Sequence, residues 1–434
     1  MNDMPRRTML PSDAGPAEPD RARHHRAGPF GVLDIGTTKI ACLIGRVESD
    51  GRLRVLGFGW HKGRGVRGGN IVDLEEAEKA IRACVGQAED MADTRLRAVT
   101  VNLSCGQPES HLYNVQWPVN GRAVSDEDIR GVVAEGRARA MIEGRVALHA
   151  LPLNFAVDST DHVADPRGLF CSSLNARLHI VNAVATSLRS LEACIARCDL
   201  EIEGMVSAPM AAGLSTLVED EREMGVTIID MGGGTTGLAV FADNQLMHTA
   251  QLPIGGLHVT KDLASGLSTP LAHAERLKTL YGNVENSPDD DTEMLPVPQV
   301  GEEDDHQLAR VPRSMVVNII RPRIEETFEY VKESLDSSGM ARAAGNRVVL
   351  TGGACQLPGL REMAARMLGR QVRLGRPTTL RGLPELASGP AFSTAAGLLS
   401  WAAGNGRTFS DAEIEPERPA GILRRLVNFL KDRV

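Results

Sequence analysis

Leu33-Asp34-Ile35-Gly36-Thr37-Thr38-Lys39 and Ile229-Asp230-Met231-Gly232-Gly233-Gly234-Thr235-Thr236 follow one pattern. Each has an apolar β-rich run ending in Asp, a tight turn of glycine and paired threonine, and a second β-rich run. The two aspartates stand 196 positions apart (230 − 34), a little under half of the 434 residues. One such stretch alone reads as an ordinary glycine turn. Two copies at domain-sized spacing, followed by Thr351-Gly352-Gly353-Ala354 after a third apolar run, point instead to two related α/β domains facing each other across a cleft.

The residue types fit phosphate chemistry. Glycine lets the backbone approach phosphate oxygens and present N–H groups to them. Threonine hydroxyls add donors, and Lys39 can neutralise phosphate charge. Asp34 and Asp230, facing each other, suit a hydrated Mg²⁺, which takes one or two carboxylates and keeps several waters. The predicted ligand groups are therefore Asp34, Gly36, Thr37, Thr38 and Lys39 from the first hairpin. Asp230, Gly232, Gly233, Gly234, Thr235 and Thr236 come from the second, and Gly352, Gly353 and Ala354 from the third glycine motif.

Working outward, residues 1–28 are rich in Pro, Arg, Asp and Ala and read as a disordered tail. A helix is predicted over Asp73–Ala92, capped by Asp73 with Glu76 three residues on, and another from Ser125. A segment of distinct character runs from a strand at Ala98–Ser104 to about residue 177. Residues 263–339 read as two helical stretches separated by a loop at 284–313. Small-residue helices are predicted from Pro209 and over Ser393–Ala403. Residues 404–420 are polar and proline-bearing and read as a flexible linker.

Composition sets the outer limits. The chain carries 48 Lys+Arg against 56 Asp+Glu, and aromatics are only 3%, which argues against a nucleic-acid binder. No run of about 18 apolar residues suggests a spanning helix, and no apolar core follows Arg6 and Arg7 to make a signal peptide. Seven scattered cysteines fit a reduced cytosol better than a disulfide framework, and Cys194 and Cys198 read as small helix residues. Nine acidic residues with no Lys or Arg lie in 285–305, so the rest of the chain is at +1 (−8 + 9), and this run reads as one solvated loop.

Taken together, the hairpins, Val348-Val-Leu-Thr-Gly-Gly-Ala and the small-residue segments Ala208-Pro-Met-Ala-Ala-Gly-Leu and Ser393-Thr-Ala-Ala-Gly-Leu resemble the actin/hexokinase/heat-shock-chaperone ATPase superfamily. That resemblance implies an actin-like two-domain α/β fold, with duplicated ribonuclease H-like domains around a nucleotide cleft, and ATP with Mg²⁺ as ligands. Ala274-Glu-Arg-Leu-Lys278 is similar to the helix from which a Glu and a Lys reach ribose and base, which adds Glu275 and Lys278 to the site. By spacing alone these two are also an ordinary i,i+3 pair on a helix surface. Within the superfamily the chain resembles the FtsA family of actin-like cell-division proteins, from about Phe30 to Val434. The carrying phrases include Arg64-Gly-Val-Arg-Gly-Gly-Asn, Val218-Glu-Asp-Glu-Arg-Glu-Met-Gly-Val, Tyr281-Gly and Ile319-Ile-Arg-Pro-Arg-Ile-Glu-Glu.

The family resemblance implies subdomain 1A over 29–97 plus 178–222, an FtsA-type subdomain 1C over 98–177, 2A over 223–262 plus 340–403, and 2B over 263–339. It also implies a peripheral location on the inner face of the cytoplasmic membrane at the division site, self-polymerisation, contact with the FtsZ C-terminal tail through 2B, and later division proteins through 1C. Arg313, Arg321 and Arg323 are candidate tail contacts, though such a set also reads as a solvated basic face. In related ATPases a Glu just before the Pro of the first connecting helix positions the attacking water. Ala208 stands there and has no proton acceptor, and a Ser207 hydroxyl would be a weak substitute, so ATP binding with slow hydrolysis at most is expected.

Residues 421–434 change character again. Ile422, Leu423, Leu426, Val427, Phe429 and Leu430 fall with Val434 within an arc of ~160° on a helical wheel. Four basic residues and one acidic give this segment +3. Composition alone leaves docking on the protein's own core and binding to an anionic membrane surface about equal; the linker and the family resemblance favour the membrane. Other members of the superfamily supply the alternatives, an actin-like pilus-assembly or plasmid-partition ATPase or a small-metabolite kinase.

Overall fold

Phe30–Ile35 (β1) and Lys39–Val47 (β2) form the first hairpin, continued by Leu53–Lys62 (β3) and the short pair Val66–Arg67 (β4) and Asn70–Ile71 (β5). Leu74–Ala92 (α1) then leads to Ala98–Leu103 (β6). Glu109–Pro118 (β7), Asp126–Arg139 (α2), Arg145–Val157 (β8), Thr160–Val163 (β9) and Ser173–Val184 (β10) follow. Ala185–Arg197 (α3), Glu201–Ser207 (β11) and Ala208–Thr216 (α4) close the first half. The second half holds Glu219–Met224 (α5), Val226–Met231 (β12), Thr236–Ala242 (β13), Gln245–Leu252 (β14), Gly256–Gly266 (α6), Leu271–Tyr281 (α7), Met294–Val297 (β15), Ala309–Pro312 (β16) and Arg313–Ser337 (α8). It ends with Arg347–Thr351 (β17), Leu360–Leu368 (α9), Gln371–Leu374 (β18) and Ser393–Ala402 (α10). This computed structural model describes residues 28–301, 309–378 and 380–404. The linker beyond Gly404, the apolar residues of 421–434 and the predicted tail up to residue 27 lie outside the described residues.

The duplication is explicit in the sheets. One sheet has the order β11-β6-β1-β2-β3 and the other β14-β13-β12-β17-β18. In each, three consecutive strands form an antiparallel meander, and the first of them is flanked on its other side by two parallel strands. Asp34 near the end of β1 pairs with Ala41, and Asp230 near the end of β12 pairs with Gly237. The two halves therefore present equivalent hairpins, as the repeat predicts.

One apolar core runs through both halves. Met210, Ala211 and Ala212 of α4 and Ala395, Leu398 and Leu399 of α10 pack against Val32 and Leu43 of one sheet and Ile228 and Ala239 of the other. The outer faces are covered separately, the first by α1 and α3 and the second by α6 to α9. The helix start signals hold: Asp73 accepts from the backbone N–H of Glu75 and Glu76, and Ser125 forms a capping box with Asp128. All seven cysteines are buried and free. No helix among the described residues is long and apolar enough to cross a membrane.

Two expectations are corrected. The strand at 98–103 belongs to the first sheet, between β1 and β11, so the inserted unit begins with β7; the apolar run of β6 is a buried parallel strand, which sequence periodicity cannot assign to a particular sheet. The inserted unit is a four-stranded sheet, β7-β10-β8-β9, with α2 packed on it. The acidic stretch is not a simple solvated loop, because β15 and β16 pair across it and Asp290, 1% exposed, sits against Arg313 at 3.5 Å. Residues 302–308, which hold four of its acidic residues, lie outside the described residues.

The insert meets both halves through a polar junction. Ser207 of β11 donates its backbone N–H to His149 Nε2 of β8 at 3.2 Å, and its hydroxyl lies 3.2 Å from that of Thr249 in β14. The Thr249 backbone N–H donates to Ser110 Oγ of β7 at 3.3 Å, and Ser110 contacts His179 of β10. Burial pushes His179 down to about 3 and His248 down to about 4, so both are neutral near pH 7.

The helices α4 and α10 cross with their backbones in close approach. A Cβ on Gly397 would stand 1.6 Å from the Ala211 carbonyl oxygen. Gly397→Ala is expected to force the helices apart and cost about 2–3 kcal/mol, read as a lowered urea midpoint. A midpoint unchanged from the parent chain would show that the close approach is dispensable.

Candidate functional site

Both hairpin turns close by the same bond. Gly36 N–H donates to the Lys39 carbonyl and Gly232 N–H to the Thr235 carbonyl, each at 2.9 Å. A side chain at either glycine would strike the carbonyl opposite, at 2.8 and 3.0 Å. The two turns also touch one another. A Cβ on Gly233 would come within 2.4 Å of the Thr38 side chain, and one on Gly234 within 2.4 Å of Thr37 Oγ1. Gly69 at the β4–β5 turn joins them, its N–H reaching Thr37 Oγ1 at 3.4 Å.

Beneath the turns is a cavity of about 540 Å³, ample for a small-molecule ligand. Asp34, Gly36, Thr37, Thr38, Lys39, Asp230, Gly232, Gly233, Gly234, Thr235, Glu275, Lys278, Gly352, Gly353 and Ala354 all line it. Thr236 does not. It is the first residue of β13, fully buried, and its hydroxyl is turned to donate to the Ile254 carbonyl at 2.8 Å.

The electrostatics single out the two carboxylates. Burial raises the Asp34 carboxyl, opposed by Lys39, whose Nζ lies 3.4 Å from Asp34 Oδ2. Burial pushes Asp230 up to about 6; the like charge of Asp34 adds to this, while the Thr394 hydroxyl donating at 2.9 Å opposes it. Two desolvated acids beside one cavity are the arrangement a hard cation relieves. The donor set, two carboxylates with room for water, fits Mg²⁺.

At the other end, Glu275 and Lys278 are brought together at 2.7 Å. Lys278 Nζ also donates to the Gly256 carbonyl at 3.0 Å and to Thr260 Oγ1 at 2.9 Å. The pair therefore belongs to the cavity wall and is more than a surface i,i+3 contact. Gly352, at φ +85°, admits no side chain, since a Cβ would lie 2.5 Å from Asp230 Oδ1.

Ala208 lines the cavity at the N-terminus of α4 and offers it only a methyl group. Ser207 cannot stand in, because its hydroxyl is buried against Thr249. The three candidate arginines already hold carboxylates of this chain. Arg313 contacts Glu293 at 3.1 Å and Asp290, Arg321 contacts Glu325 at 2.8 Å, and Arg323 contacts Asp262 and Glu326.

Sequence reasoning missed Asn102 and Ser104 at the end of β6, Gly255 and Gly256 ahead of α6, Thr327 of α8 and Thr394 of α10. The Gly255-Gly256 pair was a usable signal, since a Cβ on Gly255 would meet the Gly232 carbonyl at 2.6 Å. Asn102 was readable only as a polar residue closing a parallel strand, where open α/β sheets bind ligands.

Comparison with known proteins agrees with this geometry. The family profile for cell division protein FtsA matches residues 227–397, and that for the SHS2 domain inserted in FtsA matches residues 105–182. The cell division protein FtsA of Agrobacterium fabrum is 43% identical over 378 residues, covering 85% of each chain. That of Escherichia coli K12 is 32% identical over 413 residues, covering 92% of this chain and 96% of its own. Among solved structures, the PilM–PilN type IV pilus biogenesis complex gives a TM-score of 0.61 at 16% identity, covering 89% of this chain and 99% of the other. MreB 5 of Spiroplasma citri bound to AMPPNP gives 0.52 at 12% identity, covering 86% and 95%. At these identities the structural likeness speaks for an actin-like fold alone.

Asp230→Asn separates stability from ligand chemistry. The native carboxyl titrates at about 6 against 3.8 when exposed, so the folded state binds more protons between those values and loses stability as pH rises through them. The amide removes that loss. In EDTA at pH 7.5 the variant should be more stable by roughly 1–3 kcal/mol, yet lose Mg²⁺-dependent nucleotide binding. A variant with unchanged Mg²⁺ dependence would show that this carboxylate holds no cation.

Proposed function

We propose, for a chain that belongs to the FtsA family of cell-division proteins, that it binds ATP in this cleft and forms filaments that tether FtsZ to the cytoplasmic membrane. Family membership sets aside the pilus, plasmid-partition and metabolite-kinase alternatives. The observation that carries the nucleotide reading is the meeting of two equivalent glycine turns, the buried Asp34 and the partly buried Asp230 over one cavity.

In this reading the N–H groups of the Gly36–Lys39 and Gly232–Thr235 turns and the hydroxyls of Thr37, Thr38 and Thr235 cradle phosphate oxygens, and Lys39 offsets their charge. Asp34 and Asp230 hold a hydrated Mg²⁺, which when bound neutralises phosphate charge. Glu275, Lys278 and the Gly352–Ala354 turn receive the nucleoside. With Ala208 at the N-terminus of α4 and Ser207 turned away, no residue at that point takes a proton from water. Steady-state turnover of purified protein should stay well below ~1 per second. A rate at or above that value would mean a base comes from elsewhere.

Membrane attachment is assigned to residues 421–434, with Ile422, Leu423, Leu426, Val427, Phe429 and Leu430 as the apolar face and a net charge of +3 drawing the segment to anionic lipid. FtsZ contact is assigned to the 2B segment, residues 263–339. The internal pairing of Arg313, Arg321 and Arg323 means an acidic tail would have to displace carboxylates there.

Sedimentation with anionic vesicles tests the tether. The full chain with ATP should carry FtsZ into the pellet. The chain lacking 421–434 should stay in the supernatant with ATP affinity unchanged. Pelleting by the shortened chain would overturn the assignment.

A further inference from the structure

Lys39 is the only cation predicted for the phosphate end of the cleft, and the way it is held was invisible in the sequence. Its Nζ donates to the Ala391 carbonyl, 352 residues away, and lies 3.4 Å from Asp34 Oδ2. The same ammonium stands 3.9 Å from the centroid of the Phe392 ring. The lysine side chain is only 18% exposed, so this cation–π contact is largely desolvated and at the stronger end of its range.

The ring is itself fixed. Phe392 is 8% exposed and packs edge-to-face on Phe58 of β3, with centroids 5.5 Å apart and planes at 72°. It directly precedes α10, whose Thr394 bonds Asp230. Phe58 comes from the first sheet and Phe392 from the approach to α10, so the surface beneath Lys39 is built by both halves.

We propose that Phe392 is a positioning residue for the phosphate-binding lysine, and that its ring holds the Lys39 ammonium at the phosphate end with its charge still available. The chemistry follows from the partners. The Ala391 carbonyl and Asp34 take two of the three ammonium donors. A neutral ring restrains the cation without consuming a donor and without cancelling its charge, as a second carboxylate would. One donor remains for an anionic ligand, and Asp34 is the carboxylate that offsets the charge of the ammonium. This inference rests on reading the cleft as a nucleotide site.

The test compares ligands that do and do not carry phosphate, measured by calorimetry on the full chain. Phe392→Leu fills most of the same volume without the ring. It should weaken ATP and ADP about 3- to 10-fold and leave adenosine unchanged. Phe392→Tyr, which keeps the ring face, should bind within about 2-fold of the parent. In a Lys39→Met background the Phe392→Leu effect should vanish, since the ring then has no cation to hold.

Should the leucine variant fail to fold, fluorinated phenylalanines placed at 392 keep the shape of the ring while draining its face of negative charge. They should weaken ATP in step with the number of fluorines. ATP binding indifferent to Phe392→Leu, an equal loss for adenosine, or a loss that persists without Lys39 would each overturn the proposal while sparing the nucleotide reading. Failure of the unaltered chain to bind ATP would overturn both.

Discussion

The two halves of the molecule are held at a fixed spacing where Gly397 of α10 lies on the backbone of α4 at Ala211. Both sheets rest their inner faces on this helix pair. The crossing sets how far apart β1 and β12 stand, and so whether Asp34 and Asp230 can share one ion. It also aims both helices. α4 begins at Ala208, on the cavity wall, and α10 begins one residue before Thr394, which bonds Asp230. Two helix N-termini thus converge on the place where negative charge is expected, and each favours an anion there.

That convergence matters because the site is costly without a ligand. Burial raises both Asp34 and Asp230, the charge of Asp34 raises Asp230 further, and Lys39 makes its hydrogen bond to the first alone. A chain under pressure for stability alone would place apolar or amide groups at these positions. Their presence, together with glycines at 255 and 352 where a Cβ would lie within 2.6 Å of a neighbouring atom, marks the cavity as the part of the fold shaped by ligand chemistry.

What could be read from the sequence follows from how local each feature is. The hairpins were legible because Asp, Gly and Thr lie within a few consecutive residues, and the duplication because that pattern recurs. Small-residue helices showed themselves by composition. The start of the insert did not, because β6 is a parallel strand, buried from Val99 on, whose partners β1 and β11 lie far from it along the chain. The acidic run misled for a related reason. Asp290 is buried by an ion pair with Arg313, 23 positions on (313 − 290), and by a hairpin whose second strand is equally distant. Phe392 was silent altogether, since nothing near it in sequence announces a lysine 353 positions earlier (392 − 39).

The junction between the insert and the two halves extends this reasoning. An apolar seam would let the inserted sheet slide or rotate at little cost, because burial is non-directional. Here the seam is made of directional bonds: His149 to the backbone of Ser207, Ser207 to Thr249, Thr249 to Ser110, and Ser110 to His179. Each buried polar group that lost its partner would pay its desolvation in full, so one orientation is strongly favoured over its neighbours. Burial keeps His179 neutral, so it bonds there without bringing a buried charge. The chain also passes from Ser207, inside this junction, to Ala208, on the cavity wall, with no residue between. Any shift of the insert that breaks the Ser207 bonds must therefore act on the first residue of α4, and through it on the crossing that spaces the two aspartates.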